Sequence, residues 1–361
     1  MQVKIASEEV GSKIVEWYSC IISASYEEAK VIKKEVTQLL RHMEEDDKVL
    51  AYYSLVDFRH NLFIDKSNKG HHIVGDLSFI ETDVDRYLKY LYYFIGGQYE
   101  YTQERYRSAV KMFRKAERLL EYVNDEAEES EFYMYIGVAY YRLNQYLFAT
   151  SYLEQAETIF NRLNYHERAL NCKQVLGAIF SELHQYEKGD NLLTEALEES
   201  TYPVTTGIIL RALALSKIRQ TNYEEAVFFF ESALKIKEHR EFYNGAKTLT
   251  DLSHTLFKLG RYESAKVIFK KAKVNVWCFN NSEFKARCKY IEGLYLMSDH
   301  HLIKEALEDL SRLGMYYEVC ELAEEMIEIS ENAKDVENAL GYYRIAYKGK
   351  LDQNLIGDDQ V

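Results

Sequence analysis

Apolar positions along most of this chain recur at the three- and four-residue intervals of a helix with one buried face. In the first 66 residues they mark three segments, about 7 to 22, 26 to 44 and 47 to 63. Ile32, Val36, Leu39 and Leu40 carry the second, and Leu50, Tyr53, Leu55 and Phe58 the third. Three helices with short connections predict a small bundle. The stretch from Lys66 to Asp76, with two glycines among polar residues, predicts a linker. Tyr87 to Tyr101 then predicts a strongly aromatic helix that opens a longer array.

That array repeats itself. Tyr106 with Ala109 and Ala116, Tyr146 with Ala149 and Ala156, Tyr186 with Gly189 and Ala196, Tyr223 with Ala226 and Ala233, and Tyr262 with Ala265 and Ala272 share one spacing, and the tyrosines lie 40, 40, 37 and 39 residues apart. A bulky aromatic followed by small residues three and ten positions on lets two antiparallel helices approach closely while the ring fills the corner between them. The predicted pairs are 130 to 143 with 146 to 161, 168 to 183 with 186 to 199, 205 to 220 with 223 to 237, and 244 to 259 with 262 to 275. Gly260 in the turn Leu259-Gly-Arg-Tyr262 suits a left-handed helix stop, and Pro203, the one proline, falls between pairs. Beyond 280 the pattern degrades: Leu313-Gly-Met-Tyr316 reads as a turn without the small residue that should follow, and Ala339 with Ala346 keeps only the seven-residue spacing. Terminal repeats often deviate in this way.

Composition narrows the function. At 361 residues, 47% apolar, the chain can bury a large core, and 45 basic against 58 acidic residues (net charge −13) disfavour direct nucleic-acid or anionic-membrane binding. A partner with a basic surface suits it better. Five scattered cysteines (Cys20, Cys172, Cys278, Cys288, Cys320) fit neither a disulfide framework nor a zinc site, and no signal-peptide core or run of 18 apolar residues occurs. The expectation is a cytoplasmic protein without metal or cofactor. His71-His72 and His300-His301 read as loop or surface histidines, Gly96-Gly97 as a point of close helix packing rather than a phosphate loop. The aromatic run from Tyr87 to Tyr101 lacks the basic interleaving of a base-stacking surface. No nucleophile and base stand at a productive spacing.

The repeated motifs resemble the tetratricopeptide repeat over about 95 to 350, at a slightly longer period. That resemblance implies a right-handed superhelix whose inner side, lined by the first helix of each pair, can take an extended segment. A more specific likeness lies upstream. Met43-Glu-Glu-Asp-Asp-Lys-Val-Leu-Ala-Tyr-Tyr-Ser-Leu-Val-Asp-Phe-Arg-His60, the opening Ile5 to Tyr18 and the helix Leu91-Tyr-Tyr-Phe resemble the Rap family of bacilli, the response-regulator aspartate phosphatases and their relatives, over essentially the whole chain. The family implies an all-α fold: a three-helix bundle (1–66), a helical linker (67–94) and about seven tetratricopeptide-like repeats (95–361). It also implies a response regulator as partner, bound through its receiver or its DNA-binding domain, and commonly a signalling pentapeptide in the repeat groove.

Family phosphatases insert a glutamine beside the regulator's aspartyl phosphate to orient the attacking water; the matching position here is Asp47. A carboxylate about 4 Å from a phosphoryl group costs on the order of 1 kcal/mol in water and about 4 at an effective dielectric of 20. As barrier height that is roughly ten- to a thousandfold in rate. The resemblance places Glu45, Leu50 and Phe58 on the regulator-docking surface with Asp46 and Asp47. The same residues also read as ordinary structure, the acids as a solvated helix start with Asp46 or Asp47 as N-cap, Leu50 and Phe58 as bundle core. Asparagines that hold the peptide backbone in family members align with Ile179 and Ala212, which lack those hydrogen-bonding groups. The favoured reading is a non-catalytic anti-activator that sequesters a regulator's DNA-binding domain. The alternative is a phosphatase acting on the phosphorylated sporulation regulator.

Overall fold

The computed structural model describes residues 4–65 and 85–354. Among them are eighteen α-helices and no strand; the sole β-type backbone pairing joins Ile5 to Met43. The bundle comprises α1 (Ser7–Ile22), α2 (Tyr26–Leu39) and α3 (Asp47–His60), followed by α4 (Arg86–Thr102), α5 (Tyr106–Glu117), α6 (Glu126–Arg142), α7 (Tyr146–Arg162), α8 (His166–Glu182) and α9 (Tyr186–Glu199). Then come α10 (Pro203–Arg219), α11 (Tyr223–Lys235), the single-turn α12 (Lys237–Arg240), α13 (Tyr243–Lys258), α14 (Tyr262–Cys278), α15 (Ser282–Ile291), α16 (His300–Arg312), α17 (Tyr316–Asn332) and α18 (Val336–Asn354). The predicted linker from 66 to 76, with His71-His72, lies outside the described residues.

The chain forms two compact units, Met1–Ala139 with Arg162–Tyr165, and Tyr140–Asn161 with His166–Val361. The first holds the bundle together with α4, α5 and most of α6. Its core runs from Val10, Ile14 and Trp17 of α1 through Leu55 and Val56 of α3 to Leu91, Phe94 and Phe113. Gly96 and Gly97 are packing points as the sequence suggests, since a Cβ there would lie 2.5 Å from Met112 and Phe113 of α5.

The second unit is built of helix hairpins. All the alanines of the repeated motif are buried, and a Cβ on Gly189 would meet the Gly177 carbonyl oxygen at 2.9 Å, so smallness at these positions is what lets the helices close. The tyrosines behave less uniformly than the spacing predicts. Tyr106 is buried, but Tyr262 is 50% exposed, because its ring leans on Phe257 at the rim instead of filling the corner. The turns close with left-handed residues, Gly260 and Gly314 where glycine is available and Asn144, Asn164, His184, Thr221 and Lys334 where it is not. Pro203 occupies the first turn of α10, where its missing N–H is harmless. Past residue 280 the hairpins continue although the motif fades. Val319 and Met326 stand where the small residues would, and both are buried, so larger side chains fill these contact positions.

Candidate functional site

The bundle surface is organised by the start of α3. The Ile5 N–H donates to the His42 carbonyl oxygen (2.8 Å) and the Glu44 N–H to the Ile5 carbonyl oxygen (2.9 Å), which fixes the acidic run against the chain's first residues. Asp46 is the N-cap: its carboxylate accepts from the Lys48 and Val49 amides at 2.9 and 3.2 Å. The Ser7 hydroxyl, then the Val49 amide, hold that carboxyl below its ordinary pKa. The capping reading is therefore right for Asp46. Asp47 follows as the first helical residue, exposed, and Glu44 and Glu45 are exposed beside it.

From there the helix sorts its side chains by turn. Tyr52, Leu55, Val56, Arg59 and His60 face inward. Asp47, Leu50 and Ser54 lie on the opposite side, and Leu50 is 41% exposed, so it is a surface residue and not bundle core. Phe58, three turns on from Asp47, is half-buried, its ring edge-on to Tyr99 at 5.7 Å. The structure thus brings Asp47 and Leu50 together on one outward face, with Glu45 beside it and Phe58 at its margin.

Behind this face lies a buried polar layer that the sequence did not reveal. Arg59 is ion-paired with Glu131 of α6, both side chains almost wholly buried, and its guanidinium stacks 4.7 Å over the Tyr18 ring. The Trp17 indole N–H donates to His60 Nδ1 at 3.0 Å. Glu128 accepts from the Tyr18 and Tyr87 hydroxyls at 3.1 and 2.9 Å. Burial pushes its carboxyl from an ordinary 4.5 up to about 7, against the pull of Tyr87, Tyr18 and Arg59. The folded state therefore keeps a proton that the unfolded chain releases, and stability falls as pH rises between 4.5 and about 7, by about 3 kcal/mol in all. Glu128→Gln is expected to abolish that slope, checked by urea midpoints at about pH 5 and about pH 8.

In the second unit the first helices of successive pairs converge through charged side chains. Glu182 of α8 accepts from the Tyr141 and Tyr146 hydroxyls (2.8 and 2.9 Å) and from Arg219 of α10 (3.1 Å), which also donates to the Tyr317 hydroxyl of α17 at 3.0 Å. Glu283 of α15 joins Arg142 (2.6 Å) and Arg287 (3.3 Å). Burial alone would raise its pKa; Arg142, Lys247 and Arg287 outweigh that and hold it well below the carboxylate range. Glu325 of α17 takes His254 at 3.1 Å, Lys258 at 3.3 Å and the Tyr290 and Tyr295 hydroxyls at 3.1 and 2.9 Å. Ile179 and Ala212, which turn alignment placed at the peptide groove, are instead buried. Ala212 packs with Leu170, Leu193 and Ile209, and the polar positions belong to neighbours such as Glu182, Arg211 and Arg219. These inner charges are paired with one another.

Helix hairpins of this kind preceded by a three-helix bundle define a tetratricopeptide-type helical-repeat protein. Residues 4–65 match the family described as response regulator aspartate phosphatase H, N terminal, and residues 246–273 match the tetratricopeptide repeat. The chain belongs to the Rap family. Response regulator aspartate phosphatase H of Bacillus subtilis (strain 168) is 29% identical over 98% of this chain and 97% of its own length. A solved Rap protein complexed with competence and sporulation factor superposes with a TM-score of 0.90 at 26% identity, covering 97% of this chain and 99% of that one. A relative from Rhodococcus hoagii named type II methyltransferase M.CeqI is 36% identical over 100% of this chain and 71% of its own length. Its name is not carried over, since nucleotide-type cofactors seat at the strand ends of α/β sheets and the described residues here are helical.

Proposed function

We propose that this chain binds a two-component response regulator through the outward face of α3 and restrains it without turnover, in the cytoplasm. The observation that carries the reading is Asp47, an exposed carboxylate beside Leu50 at the position where family resemblance expects a glutamine. A negative group there opposes approach to a phosphoryl group, while the exposed acids Glu44, Glu45 and Asp47 suit a basic, DNA-reading surface. The names of the phosphatase relatives favour a second reading, catalytic dephosphorylation, with Asp47 or a neighbour orienting water. A signalling peptide, if taken by the second unit, would enter among paired charges rather than along an asparagine ladder, so charged peptide side chains would decide its selection.

A phosphate-loss assay separates the readings. With the phosphorylated sporulation regulator in excess, the native chain is expected to show no turnover and Asp47→Gln to gain roughly ten- to a thousandfold in rate. Turnover by the native chain would establish the phosphatase reading instead. Leu50→Glu is expected to weaken capture of an isolated regulator DNA-binding domain about tenfold or more, read by calorimetric titration.

A further inference from the structure

A cleft of about 590 Å³ opens between α14 and α16, the second helices of two adjacent pairs, with α15 as its floor. It lies away from the inner charges. Glu283 and Arg287 of α15 belong to those, whereas Lys285 and Lys289, each two residues further on, project from the opposite side of the helix. The walls are apolar at Ala286, Leu302 and Leu313, and Trp277, 48% exposed, lines the cleft from α14. A half-exposed indole beside apolar walls is a stacking surface for a flat ligand. Around it the charge of the chain reverses. The protein carries a net −13, yet the cleft is lined by four cations, Lys273, Lys285, Lys289 and Arg312, against two carboxylates, Glu292 and Asp309. The Lys273 and Lys285 ammonium groups each lie 5.8 Å from the Trp277 ring centroid. Lys273 is matched by Glu292 at 2.7 Å, but Lys289 and Arg312 share Asp309, at 2.6 and 2.8 Å, and Lys285 donates to the neutral side-chain oxygen of Asn280. Glu305 and Glu308, which lie 2.8 Å from Lys289 and 3.4 Å from Arg312, are 45% and 68% exposed. Ion pairs this open to water are worth little, so exchanging them for a stronger anion costs little.

We infer that this cleft binds a nucleoside phosphate, its base stacked on Trp277 and its phosphates held by Lys285, Lys289 and Arg312. A bare ring has no use for the surplus of cations, and a bare phosphate none for an indole with three apolar neighbours. A base joined to a row of oxyanions uses both. Lys285 and Lys289 stand one turn apart on α15 and Arg312 meets Lys289 across Asp309, so the cations form a row leading away from the ring. The volume suits one small ligand. With one indole the cleft serves one base, which assigns it to a free nucleotide; a nucleic-acid strand needs successive stacking rings.

Calorimetric titration of the full chain with ATP, adenosine and inorganic tripolyphosphate, at about 0.15 M salt, tests this. ATP is expected to bind with a dissociation constant on the order of 100 µM, and adenosine and tripolyphosphate each about tenfold more weakly. GTP should bind within about threefold of ATP, because stacking reads a ring face and not a hydrogen-bonding edge. Trp277→Ala should weaken ATP about tenfold and leave tripolyphosphate unchanged. Lys285→Glu with Arg312→Glu should weaken both roughly a hundredfold. Lys266→Glu reverses an exposed charge about 16 Å along α14, beyond the screening length at that salt, and should change neither by more than about twofold. The indole is half-exposed, so its removal tests the site even if the charge reversals disturb the fold. No heat with ATP at millimolar concentration, ATP no tighter than tripolyphosphate, or ATP binding indifferent to Trp277→Ala would each overturn the inference. So would an oligothymidylate that binds more than about tenfold tighter than ATP, since the cleft would then belong to a strand.

Discussion

Glu131→Gln is expected to destabilise the first unit by about 3 to 5 kcal/mol, because it leaves the Arg59 guanidinium charged and buried without its counter-ion. Arg59 has nowhere to go: it is 1% exposed, beneath α3 and against the Tyr18 and Phe94 rings. Replacing the pair together, Arg59→Met with Glu131→Leu, should cost far less, within about 1 kcal/mol of the native chain or on its stable side, since both desolvation terms vanish with the charges. Urea unfolding followed by Trp17 fluorescence checks this. Trp17 lies in the first unit and Trp277, the only other tryptophan, in the second, so a Trp277→Phe background isolates the signal. Equal losses for the single and the paired replacements would mean that packing, not charge, is what Arg59 contributes.

The counterpart in the second unit is Glu283→Ala, which removes one carboxylate from two arginines, Arg142 and Arg287, and is expected to cost about 3 to 5 kcal/mol. The pH signature differs in sign from that of Glu128. Glu283 has a depressed pKa in the folded state, so its contribution is present above the ordinary carboxylate value of 4.5 and is lost as pH falls toward its folded pKa. Mild acidification from neutral should therefore strengthen the first unit through Glu128, and stronger acid should loosen the second. Trp17 and Trp277 report these two transitions separately; Glu283→Ala should flatten the acid limb seen by Trp277 and leave the Trp17 transition unmoved.

The hairpins were legible because their determinants are local. A tyrosine, a small residue three positions on and another seven further mark a helix pair that lies within one short stretch of chain, as from Glu126 to Arg162. Where larger residues replace the small ones, as at Val319 and Met326, the local signal fades but the packing persists. The outward face of α3 was legible only as a choice. Spacing says that Leu50 and Phe58 lie on a helix, and only the neighbours packed against α3 decide that Leu50 points out and Phe58 is partly covered. The charged layers were not legible at all. Arg59 meets Glu131 across 72 residues and Arg142 meets Glu283 across 141, and no periodicity in a sequence records such pairings. Ile179 and Ala212 stand in the same case: spacing says that they lie on a helix, and only the neighbours packed against them decide that both side chains are buried.

The left-handed turn residues carry an evolutionary consequence. Asn144, Asn164, His184, Thr221 and Lys334 occupy positions where glycine would relieve backbone strain, and each lies in a separate turn between two helices. In an array whose members interact chiefly with their neighbours, such strain acts locally and the terms add. Single glycine exchanges at these sites offer a lineage small, independent steps in thermal tolerance, taken one turn at a time, that leave the inner charges and the surface of α3 untouched.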